Sequence, residues 1–120
     1  MKWIIDKNRP ICPQIEDRIC ASIALGDILP GSKLKSVREV ALETGVNPNT
    51  VQKAFSELER DGMIFSRVGS GWYVSEDIEP AREKLRQLLN TKTDRFLAEM
   101  ADLGVDAEKV MELIKERNNE

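Results

Sequence analysis

The sequence predicts a mostly α-helical protein that contains one small β-hairpin. Three observations support this fold class. In several segments apolar residues recur every three to four positions, which is the period of a helix that buries one face. Two short β-prone runs flank Val68-Gly69-Ser70, which is typical of a hairpin. The uninterrupted apolar runs are only a few residues long, so a transmembrane helix of roughly 20 residues is not expected.

The first predicted helix covers about residues 13–25. Proline suits its first position, and Ile15, Ile19 and Ile23 recur every fourth residue to form one apolar face. Gly26 is expected to end this helix, because glycine adopts the conformations that follow a helix more easily than other residues.

The next two predicted helices are almost contiguous. Ser36 and Glu39 have the spacing of a capping box, in which each side chain satisfies a backbone N–H at the start of a helix. We expect this helix to end at Gly45, in the left-handed closing conformation. Asn47 and Pro48 then supply the cap and the first position of the following helix. Two helices joined by such a short turn form a helix-turn-helix.

The third predicted helix has an apolar and a polar side. Its apolar stripe, spaced i, i+3, i+4 and i+7, consists of Val51, Ala54, Phe55 and Leu58. Its other side shows Asn49, Thr50, Gln52, Lys53 and Ser56. Asparagine and glutamine can each pair with adenine through two hydrogen bonds, and hydroxyl groups suit phosphates or base edges. We interpret this side as a DNA-binding surface; the alternative is an ordinary solvated face.

A helix-turn-helix followed directly by a hairpin is the winged-helix arrangement. Lys35 and Arg38 lie at the start of the second helix, where free backbone N–H groups attract an anion. Arg67 and Gly69 lie on the hairpin, where a wing would touch DNA. For Arg67 a surface ion pair is an equal alternative. The same domain could also serve as a protein-docking module.

The net charge of −3 averages two unlike segments. Residues 1–75 carry ten basic and nine acidic side chains, a net charge of +1. Residues 76–120 carry eight basic and twelve acidic side chains, a net charge of −4. The acidic segment is therefore not expected to lie on phosphate.

The absence of histidine excludes several kinds of catalytic and metal site. It removes Ser–His and Cys–His nucleophile–base pairs and every zinc site that needs an imidazole. Cys12 and Cys20 lie about 12 Å apart on the predicted helix, too far for a disulfide. We interpret them as small buried apolar residues, with a redox-sensing or intermolecular thiol as the alternative. No catalytic residue, metal or cofactor is therefore predicted.

The charge of Asp6 interrupts the apolar residues near the N-terminus too early for a signal peptide. The sequence therefore predicts a cytoplasmic protein.

The C-terminal segment is predicted to form two helices that mediate dimerisation. Its large apolar side chains are Leu85, Leu88, Leu89, Phe96, Leu97, Met100, Leu103, Val110, Leu113 and Ile114. They are too few to enclose a metabolite pocket but enough to cover a partner helix. The alternative is that they fold back on the chain's own winged domain. We thus expect a winged helix-turn-helix domain at residues 1–76 and a helical dimerisation domain at residues 77–120.

Several motifs occur in a fixed order within residues 10–75: GDILPGSKLKSVREVA at 26–41, GVNPNTVQKAF at 45–55, Leu58, GMI at 62–64 and GSGWYV at 69–74. Together they resemble the GntR family of bacterial transcriptional regulators. The variant Asn-Pro-Asn-Thr at 47–50 and the short helical tail are similar to the YtrA subfamily, whose C-terminal part is about two helices used to dimerise. Lys35 stands where this family usually has proline, and Pro48 stands where many members have a contacting arginine.

The resemblance implies a homodimeric repressor that binds a pseudo-palindromic operator in double-stranded DNA and performs no chemistry. The residues expected to bind DNA are Lys35, Ser36, Arg38, Asn47, Asn49, Thr50, Gln52, Lys53, Arg67 and Gly69. YtrA-like regulators tend to adjoin transporter operons, so an ABC-transporter operon is an expected target. A small-molecule effector is not identified by the sequence. The alternative function is a winged-helix protein–protein interaction module that does not bind DNA.

Overall fold

The computed structural model describes residues 1–119. The elements are α1 (Ile11–Ala24), α2 (Val37–Thr44), α3 (Pro48–Arg60), β1 (Ile64–Arg67), β2 (Gly71–Val74), α4 (Glu79–Asp102) and α5 (Ala107–Asn118). The prediction of a mostly helical fold with one small hairpin is confirmed. The chain divides into two compact units, of which the first is Met1–Leu85 and the second begins at Arg86. Within the described residues, no helix combines the length and the apolar character that a membrane span requires.

The core of the first unit lies between α1, α3 and the hairpin. The predicted stripe of α3 is fully buried, as are the three predicted core isoleucines of α1: Val51, Ala54, Phe55, Leu58, Ile15, Ile19 and Ile23. Burying one such side chain stabilises a fold by about 1.5–3 kcal/mol. The helix α1 begins at Ile11, two residues earlier than predicted, with Pro10 at the N-cap position; the Gln14 side-chain amide donates to the Pro10 carbonyl at 2.9 Å.

The start of α2 carries the predicted capping box. The Ser36 hydroxyl accepts a hydrogen bond from the Glu39 backbone N–H at 3.0 Å, and the Glu39 carboxylate accepts one from the Ser36 N–H at 3.0 Å. These hydrogen bonds lower the pKa of Glu39. Because the folded-state pKa is depressed, the contribution to stability is present above the unfolded pKa of about 4.3 and disappears as the pH falls through the folded value. At its other end α2 closes at Gly45, whose φ of 70° is left-handed as predicted.

Substitution of the cap should measurably destabilise the protein. We expect Ser36→Ala to lower the free energy of unfolding by about 1 kcal/mol, because the Glu39 N–H loses its acceptor. Urea unfolding at pH 7 measures this change. The control is Ser56→Ala, an exposed serine within α3, which should change the free energy by less than about 0.5 kcal/mol. If the two substitutions changed the free energy of unfolding equally, the cap would not stabilise the protein more than an ordinary exposed serine does.

The hairpin pairs β1 with β2 in antiparallel register, with Phe65 opposite Tyr73. A third segment, which the sequence did not predict, lies along the other edge of β2. The Leu34 N–H donates to the Trp72 carbonyl at 2.8 Å, and Lys33 forms a bridge with Tyr73. The segment preceding α2 is therefore tied to the wing by backbone hydrogen bonds.

The outer edge of β1 is occupied by a side chain of α3. The Glu59 carboxylate accepts hydrogen bonds from both the backbone N–H and the hydroxyl of Ser66, each at 3.0 Å. This edge N–H is consequently paired within the chain.

The second unit contains the C-terminal part of α4 and all of α5. The helix α4 continues without interruption through the polar segment 90–94. Asp106 caps α5 by accepting a hydrogen bond from the Lys109 N–H at 3.0 Å. Val110 is buried, whereas Phe96 and Ile114 are 42% and 49% exposed. This unit thus has a small core and an apolar surface that remains open to solvent.

Candidate nucleic-acid interface

The polar side of α3 faces solvent. Asn49, Gln52, Lys53 and Ser56 are exposed, and Thr50 is half-buried. The opposite side of the helix is held in the core by Val51 and Phe55, which are 0% exposed. The packing therefore fixes which side chains this helix presents, and they are hydrogen-bonding groups with one cation.

The first turn of α3 is fixed by its cap. The Asn47 side-chain oxygen accepts a hydrogen bond from the Asn49 N–H at 2.8 Å, and Pro48 occupies the first helical position. Further along, the Ser56 hydroxyl donates to the Gln52 carbonyl at 3.0 Å. The cap leaves the Asn49 side chain at the exposed N-terminal end of the helix, where a base edge can approach.

The residues predicted near the start of α2 have different surroundings. The Lys35 ammonium forms an ion pair with the Glu43 carboxylate, which raises the pKa of Lys35 and lowers the pKa of Glu43. The Ser36 hydroxyl serves the capping box. Arg38 is exposed on the first turn of α2. The Arg38 side chain is therefore open to solvent near this helix terminus, whereas the Lys35 ammonium is paired with Glu43.

The wing places its arginine on an aromatic platform. The Arg67 guanidinium carbon lies 4.7 Å from the ring centre of Tyr73 and 5.5 Å from that of Phe65. The two rings stack with centroids 5.8 Å apart. These contacts position an exposed cation at the base of the wing turn.

At the tip of the wing, Gly69 adopts a φ of 74°, and a Cβ atom added there would meet no heavy atom within 4 Å. The glycine is thus required by the backbone conformation of the turn and not by packing within the chain. Trp72, on the other face of the hairpin, packs edge-on against Phe55 at 5.6 Å. Trp72 is partly buried and packs against the core of the first unit.

The two cysteines are free thiols with depressed acidity. Cys20 is buried and Cys12 is half-buried. Burial raises the pKa of each thiol to about 11, and Glu16 next to Cys12 contributes to its shift. Because the thiolate is the reactive form, a raised pKa keeps both thiols protonated near neutral pH and lowers their reactivity.

Two contributors to this surface, Glu43 and the Phe65–Tyr73 platform, are not predicted from the sequence. The platform follows from the alternation of side chains across a hairpin, since residues opposite each other share a face. The pairing of Phe65 with Tyr73 can be deduced only when the register of the two strands is known. Glu43 lies two helical turns from Ser36, so its contact with Lys35 depends on how the preceding loop folds back over α2.

Comparison with known proteins agrees with this geometry. Residues 13–74 match the family model described as bacterial regulatory proteins of the GntR family. The chain is 40% identical over 108 residues to the HTH-type transcriptional regulator YhcF of Bacillus subtilis, covering 90% of this chain and 89% of YhcF. It is 38% identical over 110 residues to the HTH-type transcriptional repressor YtrA of the same bacterium, covering 91% of this chain and 85% of YtrA.

Two solved structures extend the comparison. A GntR family transcriptional regulator from Listeria monocytogenes superposes with a TM-score of 0.79 at 37% identity, covering 93% of this chain and 98% of that one. The DNA-binding domain of AraR, solved in complex with its operator ORX1, superposes with a TM-score of 0.54 at 26% identity, covering 62% and 92%. These relatives are regulators of transcription rather than enzymes. This chain therefore belongs to the GntR family and is a DNA-binding transcriptional regulator.

Proposed function

We propose that the protein is a cytoplasmic repressor that binds a pseudo-palindromic operator as a homodimer. The observation that carries this proposal is the exposed polar face of α3, opposite a fully buried stripe. In a winged helix, such a face enters the major groove, where asparagine and glutamine read adenine. Residues 1–76 form the DNA-binding domain in this proposal, and residues 77–120 form the dimerisation domain.

The proposed DNA contacts fall into three groups. Asn49, Thr50 and Gln52 read base edges. Lys53, Arg38 and Lys35 bind phosphates, and Arg67 with Gly69 brings the wing to the DNA backbone or the minor groove. The side-chain oxygens of Ser36 and Asn47 accept backbone N–H groups at the starts of α2 and α3. In this proposal the two residues contribute by fixing the conformation of the helix starts that approach DNA.

Dimerisation is supported by the apolar groove between α4 and α5. Its lining residues are Phe96, Met100, Val110, Leu113, Ile114 and Arg117, around a cavity of about 270 Å³. Leu103 and Met111 add exposed apolar surface, at 78% and 56%. Such surface is unfavourable in water, and a two-fold partner would cover it with its own equivalent surface. Two DNA-binding domains could then occupy half-sites about one helical turn of DNA apart.

Selection from a random DNA pool tests the proposed recognition. We expect enriched sequences with two inverted half-sites, and Arg38→Ala should weaken binding to the selected duplex by at least about fivefold, because a phosphate loses its cation. A mobility-shift titration measures the affinity, and thermal unfolding confirms that the variant folds. Failure to enrich any sequence, with no salt-dependent DNA affinity, would favour the protein–protein interaction module instead.

We also propose that the regulated operon encodes an ABC transporter, on the strength of the similarity to the YtrA subfamily. Deleting the gene for this protein should raise the transcript level of the adjoining operon. Unchanged transcripts of every neighbouring transporter gene would contradict the proposed target while leaving operator binding intact.

A further inference from the structure

We propose that Glu43 competes with DNA phosphate for the Lys35 ammonium and thereby limits the affinity of this protein for DNA. The inference rests on the proposed function, since it takes the start of α2 as a phosphate-binding site. It assigns to Glu43 a role of its own, as an internal substitute for phosphate that is displaced when DNA binds.

The geometry gives Glu43 two partners on two different segments. One carboxylate oxygen, Oε1, pairs with the Lys35 ammonium, and the other, Oε2, accepts a hydrogen bond from the Trp3 indole N–H at 3.1 Å. Trp3 is half-buried and packs against the core of the first unit. The carboxylate is therefore held beside Lys35 from one side by α2 and from the other by the N-terminal segment.

Lys35 immediately precedes the N-cap of α2, Ser36, so its long side chain, which extends along α2 to Glu43, can instead reach a phosphate at this helix terminus. Arg38 adds a second exposed cation on the first turn. A phosphate at this terminus and the Glu43 carboxylate present the same chemistry to Lys35, namely anionic oxygens that accept from an ammonium. The Lys35 ammonium cannot form a close ion pair with the carboxylate and with the phosphate at the same time.

The exposure of the ion pair makes the competition reversible. The side chains of Lys35 and Glu43 are 52% and 34% exposed. Exposed pairs are weak and are screened by salt, so a phosphate can displace the carboxylate. This competition reduces DNA affinity, and removing the charge of Glu43 should relieve it.

The test compares variants of the full chain on a 30-base-pair duplex of fixed arbitrary sequence, over a range of salt concentrations. Glu43→Gln keeps the size of the side chain and an acceptor for Trp3 but removes the charge. We expect this variant to bind about two- to fivefold more tightly at low salt. The salt dependence should steepen by roughly one released counterion. Thermal unfolding checks the fold of the variant, and Glu43→Ala repeats the test without the Trp3 hydrogen bond.

Two controls make the mechanism specific. In a Lys35→Ala background, Glu43→Gln should lose most of its effect, because there is no ammonium left to release. Glu112→Gln in α5, which breaks a similar exposed pair with Lys109, changes the net charge equally and should leave DNA affinity unchanged. The proposal is overturned if Glu43→Gln binds no more tightly than the unmodified protein, or if the gain persists in full without Lys35. If the unmodified protein itself shows no salt-dependent DNA affinity, the proposed function fails instead.

Discussion

If the protein is the proposed homodimer, replacing Met100 and Ile114 together with aspartate should convert it into a monomer and weaken operator binding by at least about 100-fold. Both side chains line the apolar groove of the second unit. Burying a carboxylate without a partner in an apolar interface costs a large amount of free energy. With two such charges on each chain, the proposed dimer should therefore dissociate. A monomer then loses the gain that comes from linking two DNA-binding domains, which is commonly 10²–10⁴-fold.

Sedimentation at micromolar concentration and mobility shift on the selected operator measure the two effects. The matched control carries Asn90→Asp and Thr93→Asp, which add the same two charges at exposed positions of α4. This control should remain dimeric and bind the operator. A dimer that survives the first pair of substitutions would mean that another surface joins the two chains, and the role of this groove would have to be abandoned.

Alanine at Asn49 or Gln52 should reduce discrimination between the selected operator and a scrambled duplex by about 1–3 kcal/mol for each lost base contact, or roughly 5- to 150-fold. Both side chains are exposed on α3, and the helix is anchored by a buried stripe that the substitutions do not touch. The fold should therefore persist while the ratio of the two affinities falls. Competition binding with the two duplexes at one salt concentration measures this ratio directly.

Lys53→Ala is the matched comparison on the same helix. If Lys53 binds a phosphate, its loss should weaken binding to both duplexes alike and reduce the salt slope by about one. Asn49 and Gln52 would be reassigned to the DNA backbone if their alanine variants behaved in the same way, with an unchanged ratio of affinities.

The parts of the fold that sequence could predict are those specified by near neighbours. The capping box of Ser36 and Glu39, the left-handed Gly45 and the cap at Asn47 each join residues no more than four positions apart. All the residues that specify each of these features lie within about one helix turn. The exposed face of α3 was predictable for the same reason, because the period of its buried stripe determines which side chains remain outside.

The parts that could not be predicted depend on contacts between distant segments. The segment beside β2 contains Ser32, Lys33 and Leu34, with no alternating apolar pattern, so only the folded chain shows that it pairs with Trp72 and Tyr73. The ion pair of Lys35 with Glu43 likewise depends on the path of the chain before α2. A sequence indicates which charges are available, but their pairing is decided by tertiary packing.

The contact of Glu59 with Ser66 bears on how the protein behaves when it is concentrated. An open strand edge can recruit a strand from another molecule and start aggregation. On β1 the Ser66 N–H already donates to the Glu59 carboxylate, and on the far side β2 is covered by the segment that contains Leu34. Backbone groups on both edges of the short sheet are therefore already paired within the chain, which disfavours aggregation of two molecules through the wing.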